Sequence, residues 1–152
     1  MSIYADTSLF ASPYLPDRYS VEAERRMASK PWVWLTPLHI AEWTHAIAQH
    51  VFRKEISVRE AGVVQAELEL DREAGLRLEI DLPESVWEAG THLARQHGPK
   101  LGTRTPHSMD VAAALELGAK SFWTFDDGQA KLAIAEGFTT SRRCMVAATV
   151  GS

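Results

Sequence analysis

Apolar positions along this chain follow two rhythms, short continuous runs and stripes recurring every three to four residues. The run "SIYAD" (2–6) ends at Asp6. "PWVWLT" (31–36) is aromatic and β-branched between turn signals, which predicts a strand. "SFWTF" (121–125) is a continuous apolar run of the kind parallel sheets use. Between these runs the pattern turns helical. Residues 19–30 read as a charged surface helix. From Pro37 to about Arg53, Ile40, Trp43, Ile47 and Val51 form one stripe. Residues 57–74 carry Val58, Ala61, Val64 and Leu68 on one face, and 83–97 carry Val86, Ala89 and Leu93. "DVAAALELG" (110–118) predicts a helix with little polar surface, buried against a sheet. The tail "TTSRRCMVAATVGS" is open between strand, short helix and loose chain.

Strands followed by helices at the start, middle and end predict an α/β layer fold around a parallel sheet. No repeat, linker or low-complexity stretch divides the 152 residues, so a single domain over 1–152 is expected. In such sheets ligands bind outside the carboxyl ends of the strands. Asp6 and Asp126 both stand at that kind of end.

Composition narrows the setting. With 45% hydrophobic and 24% charged residues the chain is an ordinary globular protein. A single cysteine, Cys144, excludes an internal disulfide and points to a reducing compartment. "MSIYADTSLF" lacks the basic region and long apolar core of a signal peptide, and no apolar run is long enough to span a bilayer. A cytoplasmic protein without a membrane partner is expected. The net charge of −4 opposes nucleic-acid binding by the whole surface but not by a local basic patch.

Each acid has an ordinary structural explanation beside a functional one. Asp6, Asp126 and Asp127 suit turns and helix caps. Glu42 belongs to the stripe His39, Glu42, His45, Gln49 and Arg53, and a polar stripe is usually a solvated face. Asp110 opens an apolar helix and could be its N-cap, with His107 three residues earlier. Together, however, Asp6, Glu42, Asp110 and Asp126 are four carboxylates at strand exits or early in helices. Like charges brought together raise one another's pKa unless a cation neutralises them. Oxygen-only ligands suit a hard divalent ion, Mg²⁺ or Mn²⁺, and such a site serves phosphodiester hydrolysis.

Other chemistries lack their residues. There is no Gly-rich phosphate loop and no G-x-S-x-G elbow. His39-x-x-Glu42-x-x-His45 invites a zinc reading but is not the H-E-x-x-H arrangement.

The quoted motifs carry a resemblance. "YADTSLF", "TPLHIAEWTHAI" and "TRTPHSMDVAAALELGAKSFWTFDDGQAKLAIAEGF" are similar to the motifs of the PIN-domain nucleases, and within them of the VapC-type toxins of bacterial toxin–antitoxin pairs. The similarity spans roughly residues 3–138 and is most specific in its final stretch. It implies a PIN-like three-layer fold with a central parallel sheet flanked by helices. It makes Asp6 the first acid, beside Thr7 and Ser8, Glu42 the second, and Asp126 the last, with Thr124 as its hydroxyl companion. Asp127 is then left as the local helix cap.

The chain departs from the pattern at three places. Aligned without gaps, His107 stands at the third acid's place and Asp110 at the place of the histidine that usually follows. His45 replaces a common asparagine, and Gly128 a common arginine. Either Asp110 completes the site with His107 beside it, or His107 takes the acid's place and Asp110 caps the helix or pairs with it. The first is favoured, because an acid keeps the hard-ion chemistry. The resemblance implies a metal-dependent endoribonuclease acting on RNA, forming a homodimer and silenced by a cognate antitoxin protein. The departures keep open a PIN-fold module that binds RNA or protein with weakened catalysis. Arg104, and after it Arg25, Arg26, Arg53 and Lys54, are candidates for RNA phosphate contacts. Five tryptophans (Trp32, Trp34, Trp43, Trp87 and Trp123) are more than a small core needs, which places one or two at an interface if not all are core.

Overall fold

The computed structural model describes residues 2–11, 14–15, 20–28 and 32–140. Cys144 and the rest of the tail beyond residue 140 lie outside them. Five strands form one parallel sheet. They are β1 (Ser2–Ala5), β2 (Trp32–Leu35), β3 (Leu78–Glu79), β4 (Ser121–Trp123) and β5 (Thr139–Thr140), in the spatial order β3-β2-β1-β4-β5. Among the described residues seven helices accompany the strands: α1 (Thr7–Ala11), α2 (Ser20–Ala28), α3 (Pro37–Phe52), α4 (Val58–Glu73), α5 (Ser85–Leu101), α6 (Thr105–Glu116) and α7 (Asp127–Ala135).

Central strand β1 shows why helices cover both faces. Successive side chains of a strand point to opposite faces. Ile3 and Ala5 pack with Leu9, Ala23, Val33 and Phe125 on the α1–α2 side. Tyr4, between them, joins Val86, Leu93, Met109, Phe122 and Leu132 on the α5–α6–α7 side. A third cluster, around Trp43, Ile47, Leu35 and Leu68, binds α3 and α4 together. The expected three-layer α/β architecture is present.

The α3 stripe is seated as its spacing predicts, with Trp43 and Ile47 buried and Ile40 packed beside them. The predicted α4 stripe holds at Leu68, but Val58, the first residue after the Ser57 cap, is exposed. Of the tryptophans, Trp43 is fully buried and Trp34 packs at the core margin. Trp123 packs beside the α1–α2 cluster, with the Arg26 guanidinium 5.6 Å from its ring centroid. Trp87 is 60% exposed, so not all are core.

Helix α6 begins at Thr105, five residues before the apolar pattern predicts. Its N-cap residue is Arg104 and a proline stands in its first turn. Residues Ser108 to Ala114 are all buried. Asp110 is therefore an interior residue of a helix wrapped on all sides, and not its cap. The tight seating against α5 depends on Gly90, where a Cβ would lie 2.6 Å from Met109 Sδ. No helix among the described residues is long and apolar enough to cross a membrane.

Candidate active site

The site is built where β1 and β4 run out. Asp6 follows β1 directly, and its backbone N–H still bonds the Trp123 carbonyl at 2.9 Å. Its carboxylate is almost sealed from solvent. Oδ1 accepts from the Ser8 hydroxyl at 2.6 Å and from the Leu9 N–H at 3.3 Å, and Oδ2 accepts from the Thr124 hydroxyl at 2.5 Å. The two hydroxyls also tie the strand exits together. Ser8 Oγ accepts from the Phe125 N–H at 3.1 Å, and Thr124 Oγ1 accepts from the Asp126 N–H at 2.9 Å. Burial pushes Asp6 up to about 6 against these three donors, and the charge of Glu42 adds to the rise.

Glu42 arrives from the second turn of α3. Thr36 caps that helix, Pro37 fixes its first turn, and the Thr7 hydroxyl donates to Glu42 Oε2 at 2.5 Å. The other oxygen, Oε1, is buried without a hydrogen-bond partner. Asp110 comes from α6 and accepts from the Tyr4 hydroxyl at 2.9 Å. Burial pushes Asp110 well above the carboxylate range, and the charges of Glu42 and Asp6 push it further. Burial also raises Glu42, opposed by its bonds to Thr7 and Asp110. Three acids of one sign thus crowd one pocket. Ionising all of them without a counter-charge is costly.

Asp126 stands one hydrogen-bond link away, beyond Thr124. Its Oδ1 accepts from the Gln129 N–H at 2.9 Å, so Asp126 itself caps α7. The cap assigned to Asp127 is corrected, since Asp127 is the first helical residue. Asp126 also faces His107, whose Nε2 lies 3.5 Å from Oδ1. His107 and Asp110 share α6, but the imidazole looks to Asp126 and the carboxylate to Tyr4 and Glu42. Asp110 therefore does not cap α6, and the partners of its carboxylate are Tyr4 and Glu42. Burial depresses His107, partly offset by Asp126, while Arg104 adds to the fall. Its Nδ1 is buried and unpartnered. Gly128 makes room for the ring, because a Cβ there would lie 3.2 Å from His107 Cε1 and 3.3 Å from Asp126 Oδ1.

No protein-family model and no curated protein sequence matches the chain. Solved structures do. VapC20 of Mycobacterium tuberculosis, described as a sarcin-ricin loop cleaving toxin, superposes with a TM-score of 0.67 at 19% identity, covering 90% of this chain and 96% of that one. FitAcB of Neisseria gonorrhoeae gives 0.65 at 19% identity, over 91% of this chain and 95% of that one. VapBC2 of Rickettsia felis, bound to a DNA fragment from its promoter, gives 0.57 at 16% identity, over 86% and 92%. The chain has the PIN fold.

Within this PIN fold the sequence-predicted residues separate into groups. Asp6, Glu42 and Asp110 come together with Thr7, Ser8 and Thr124 around them, and Asp126 and His107 form a pair at the rim. Arg104 is exposed at the start of α6, close enough to His107 to act on it. Arg25 and Arg26 are tied to Glu22 on α2. Arg53 and Lys54 lie at the far end of α3, roughly 16 Å from Glu42 at ~1.5 Å per residue, so they do not belong to the site.

The zinc arrangement does not form. His39 is fully buried, and its Nε2 lies 2.7 Å from the Ala5 carbonyl, which can only accept. Nε2 therefore carries the proton, and Nδ1 accepts from Thr36 N–H at 3.0 Å and Thr36 Oγ1 at 2.8 Å. Both nitrogens are spent, and burial pulls the ring down to about 4. His45 is exposed.

Among the described residues, no three or more His, Cys, Asp or Glu side chains form a ready metal cage. The donor chemistry nevertheless fits a hard cation. All donors are oxygens, and the orphaned Glu42 Oε1 offers a lone pair that the protein does not use. Tyr4 and His39, neither singled out as part of the acid site by the motifs, form its floor. The available signal was an aromatic in place of an aliphatic on a buried strand two residues before Asp6.

Proposed function

We propose that the chain is a Mg²⁺- or Mn²⁺-dependent endoribonuclease, the toxin of a toxin–antitoxin pair. The observation that carries this reading is the convergence of buried Asp6 and Asp110 with partly buried Glu42, whose Oε1 is unpartnered. These three carboxylates, with Asp126 reaching in from the rim, would hold the ion. A bound divalent ion supplies the positive charge that lets the acids ionise together, and it activates water and stabilises developing charge on a phosphodiester. The protein's own part is to orient these groups. Ser8 and Thr124 fix both oxygens of Asp6, Thr7 fixes Glu42, and the burial of Asp6 and Asp110 keeps the local dielectric low. Exposed Arg104 offers a cation to an RNA phosphate beside the site.

The toxin assignment is supported by the shared fold with VapC20, FitAcB and VapBC2. A protein partner is supported by exposed apolar side chains, with Phe52 81%, Val58 78% and Trp87 60% accessible. We infer a cognate antitoxin and a homodimer in the cytoplasm as the natural setting. The direct test is cleavage of RNA by the purified chain with Mg²⁺ or Mn²⁺, set against EDTA and against Asp6→Asn. Cleavage that persists in EDTA sinks the metal reading. Binding of RNA with no cleavage under any divalent ion favours a binding module instead, the reading that the exchange of His107 and Asp110 keeps open.

A further inference from the structure

Tyr4 is wholly buried in the middle of β1, and its ring is held on two sides. Phe122 stacks on it at 5.5 Å with an interplanar angle of 14°, and His39 lies at 4.7 Å. As core packing alone, phenylalanine would serve equally well there. The hydroxyl, however, needs a partner when buried, and it reaches across 106 residues of sequence to Asp110 Oδ1 at 2.9 Å. Asp110 lies past the first turn of α6, where the backbone N–H groups are already used by the helix. Its own helix therefore cannot hold the carboxylate, and Tyr4 does so from the neighbouring layer.

We propose that Tyr4 is a positioning residue of the acid site. Its hydroxyl fixes Oδ1 of Asp110 from the neighbouring layer and so sets how the carboxylate meets Glu42, beside which a divalent cation would bind. His39 contributes by holding the Tyr4 ring and, through Nε2, the carbonyl of Ala5, the residue just before Asp6. One buried aromatic pair thus aligns two acids supplied by different elements. Without the hydroxyl, Oδ1 of Asp110 is released, and the carboxylate, which already bonds Glu42, loses the hold that keeps the two acids in register for a cation.

The inference rests on the metal reading above, and the test separates the two. Mn²⁺ binding to the RNA-free chain is measured by electron paramagnetic resonance for the parent, Tyr4→Phe, Phe122→Leu and Asp110→Asn. Removing a group that orients a metal ligand typically weakens affinity by ~10–100-fold. That loss is expected for Tyr4→Phe. Phe122→Leu loosens the packing of the Tyr4 ring but keeps the hydroxyl, so it should cost clearly less affinity than Tyr4→Phe. In the Asp110→Asn background, Tyr4→Phe should add almost nothing.

Parent-like affinity in Tyr4→Phe, or an equal loss in the Asp110→Asn background, overturns the role of Tyr4 alone. A parent chain that binds no Mn²⁺ overturns the metal reading and this assignment with it. A further measurement needs no variant at position 4. In the parent chain labelled with ¹³C-tyrosine, saturating Mg²⁺ should shift the Tyr4 ring resonance, identified by removing Tyr14 and Tyr19. An unmoved resonance counts against the proposal even if Tyr4→Phe fails to fold.

Discussion

Asp6 and Asp110 are almost sealed from solvent, whereas Asp126 keeps about a third of its side chain exposed. Only Thr124 separates the two regions. The buried acids are held by hydroxyls of Ser8, Thr124 and Tyr4, neutral donors that orient a carboxylate without cancelling its charge. The rim acid is held by the N-terminus of α7 and by an imidazole, groups that carry or can carry positive charge. In the proposed site the inner acids would take their counter-charge from a bound cation, while the rim acid also has partners of its own in the protein. One motif family thus supplies acids of two kinds, which differ in what completes them.

That contrast is broken most directly by neutralising one acid in each region. Asp110→Asn should abolish RNA cleavage beyond the ~10–100-fold that loss of an orienting partner costs. Asp126→Asn keeps the α7 cap, because asparagine caps as well as aspartate. It should fold normally and lose activity only within that ~10–100-fold range. Initial cleavage rates at saturating Mn²⁺ decide the matter. If both variants are equally dead, the four acids act as one set and the division into inner set and rim is wrong.

A second prediction concerns pH. Asp6 is shifted from 3.8 to about 6, so between these values the folded chain holds a proton that the unfolded chain has lost. Stability due to Asp6 therefore falls as pH rises through this window. His39 works the other way. It is depressed from 6.5 to about 4, so its contribution is full above 6.5 and lost as pH falls toward 4. The two nearly cancel in the parent. Subtracting one chain from another removes the contribution of His39 and reads Asp6 together with its charge coupling to Glu42 and Asp110. In EDTA, Asp6→Asn should gain on the parent by up to about 3 kcal/mol as pH rises from 4 to 7, taking ~1.4 kcal/mol per pKa unit. Urea denaturation at several pH values measures this difference. A gain that does not grow with pH means that Asp6 carries no burial penalty.

The frame of this site was legible wherever apolar periodicity was strong. The runs at 2–6, 32–36 and 121–125 end within two residues of the observed strands, and the α3 stripe placed Trp43 and Ile47 correctly. Strand β3 was missed and β5 was left open within the tail, because two-residue edge strands such as Leu78–Glu79 and Thr139–Thr140 carry no apolar run. The early start of α6 was missed because "TRTPHSM" is polar, and its cue was the proline that suits a first helical turn. That start makes Asp110 an interior residue and His107 a first-turn residue. His39 was misplaced on a solvated face because periodicity does not reveal that the first turn of α3 faces the sheet edge.

The smallest expected effect sharpens the rim. A Cβ at Gly128 would press on His107 Cε1 at 3.2 Å and on Asp126 Oδ1 at 3.3 Å, tighter than ordinary contact but within reach of a small side-chain shift. Gly128→Ala should therefore displace the imidazole by a few tenths of an ångström and leave the inner acids alone. Helix propensity favours alanine over glycine by up to about 1 kcal/mol, which offsets the contact, so stability should change little. Mn²⁺ affinity of the RNA-free chain should stay within about twofold, as for independent sites. Cleavage should fall only a few-fold, through His107 and Asp126. The decisive background is His107→Ala. With the ring removed, the added methyl group meets only the Asp126 oxygen, so Gly128→Ala should become neutral for cleavage and stabilising in urea. If it costs as much activity there as in the parent, the methyl group acts through something other than His107, and the rim pair is not the unit drawn here.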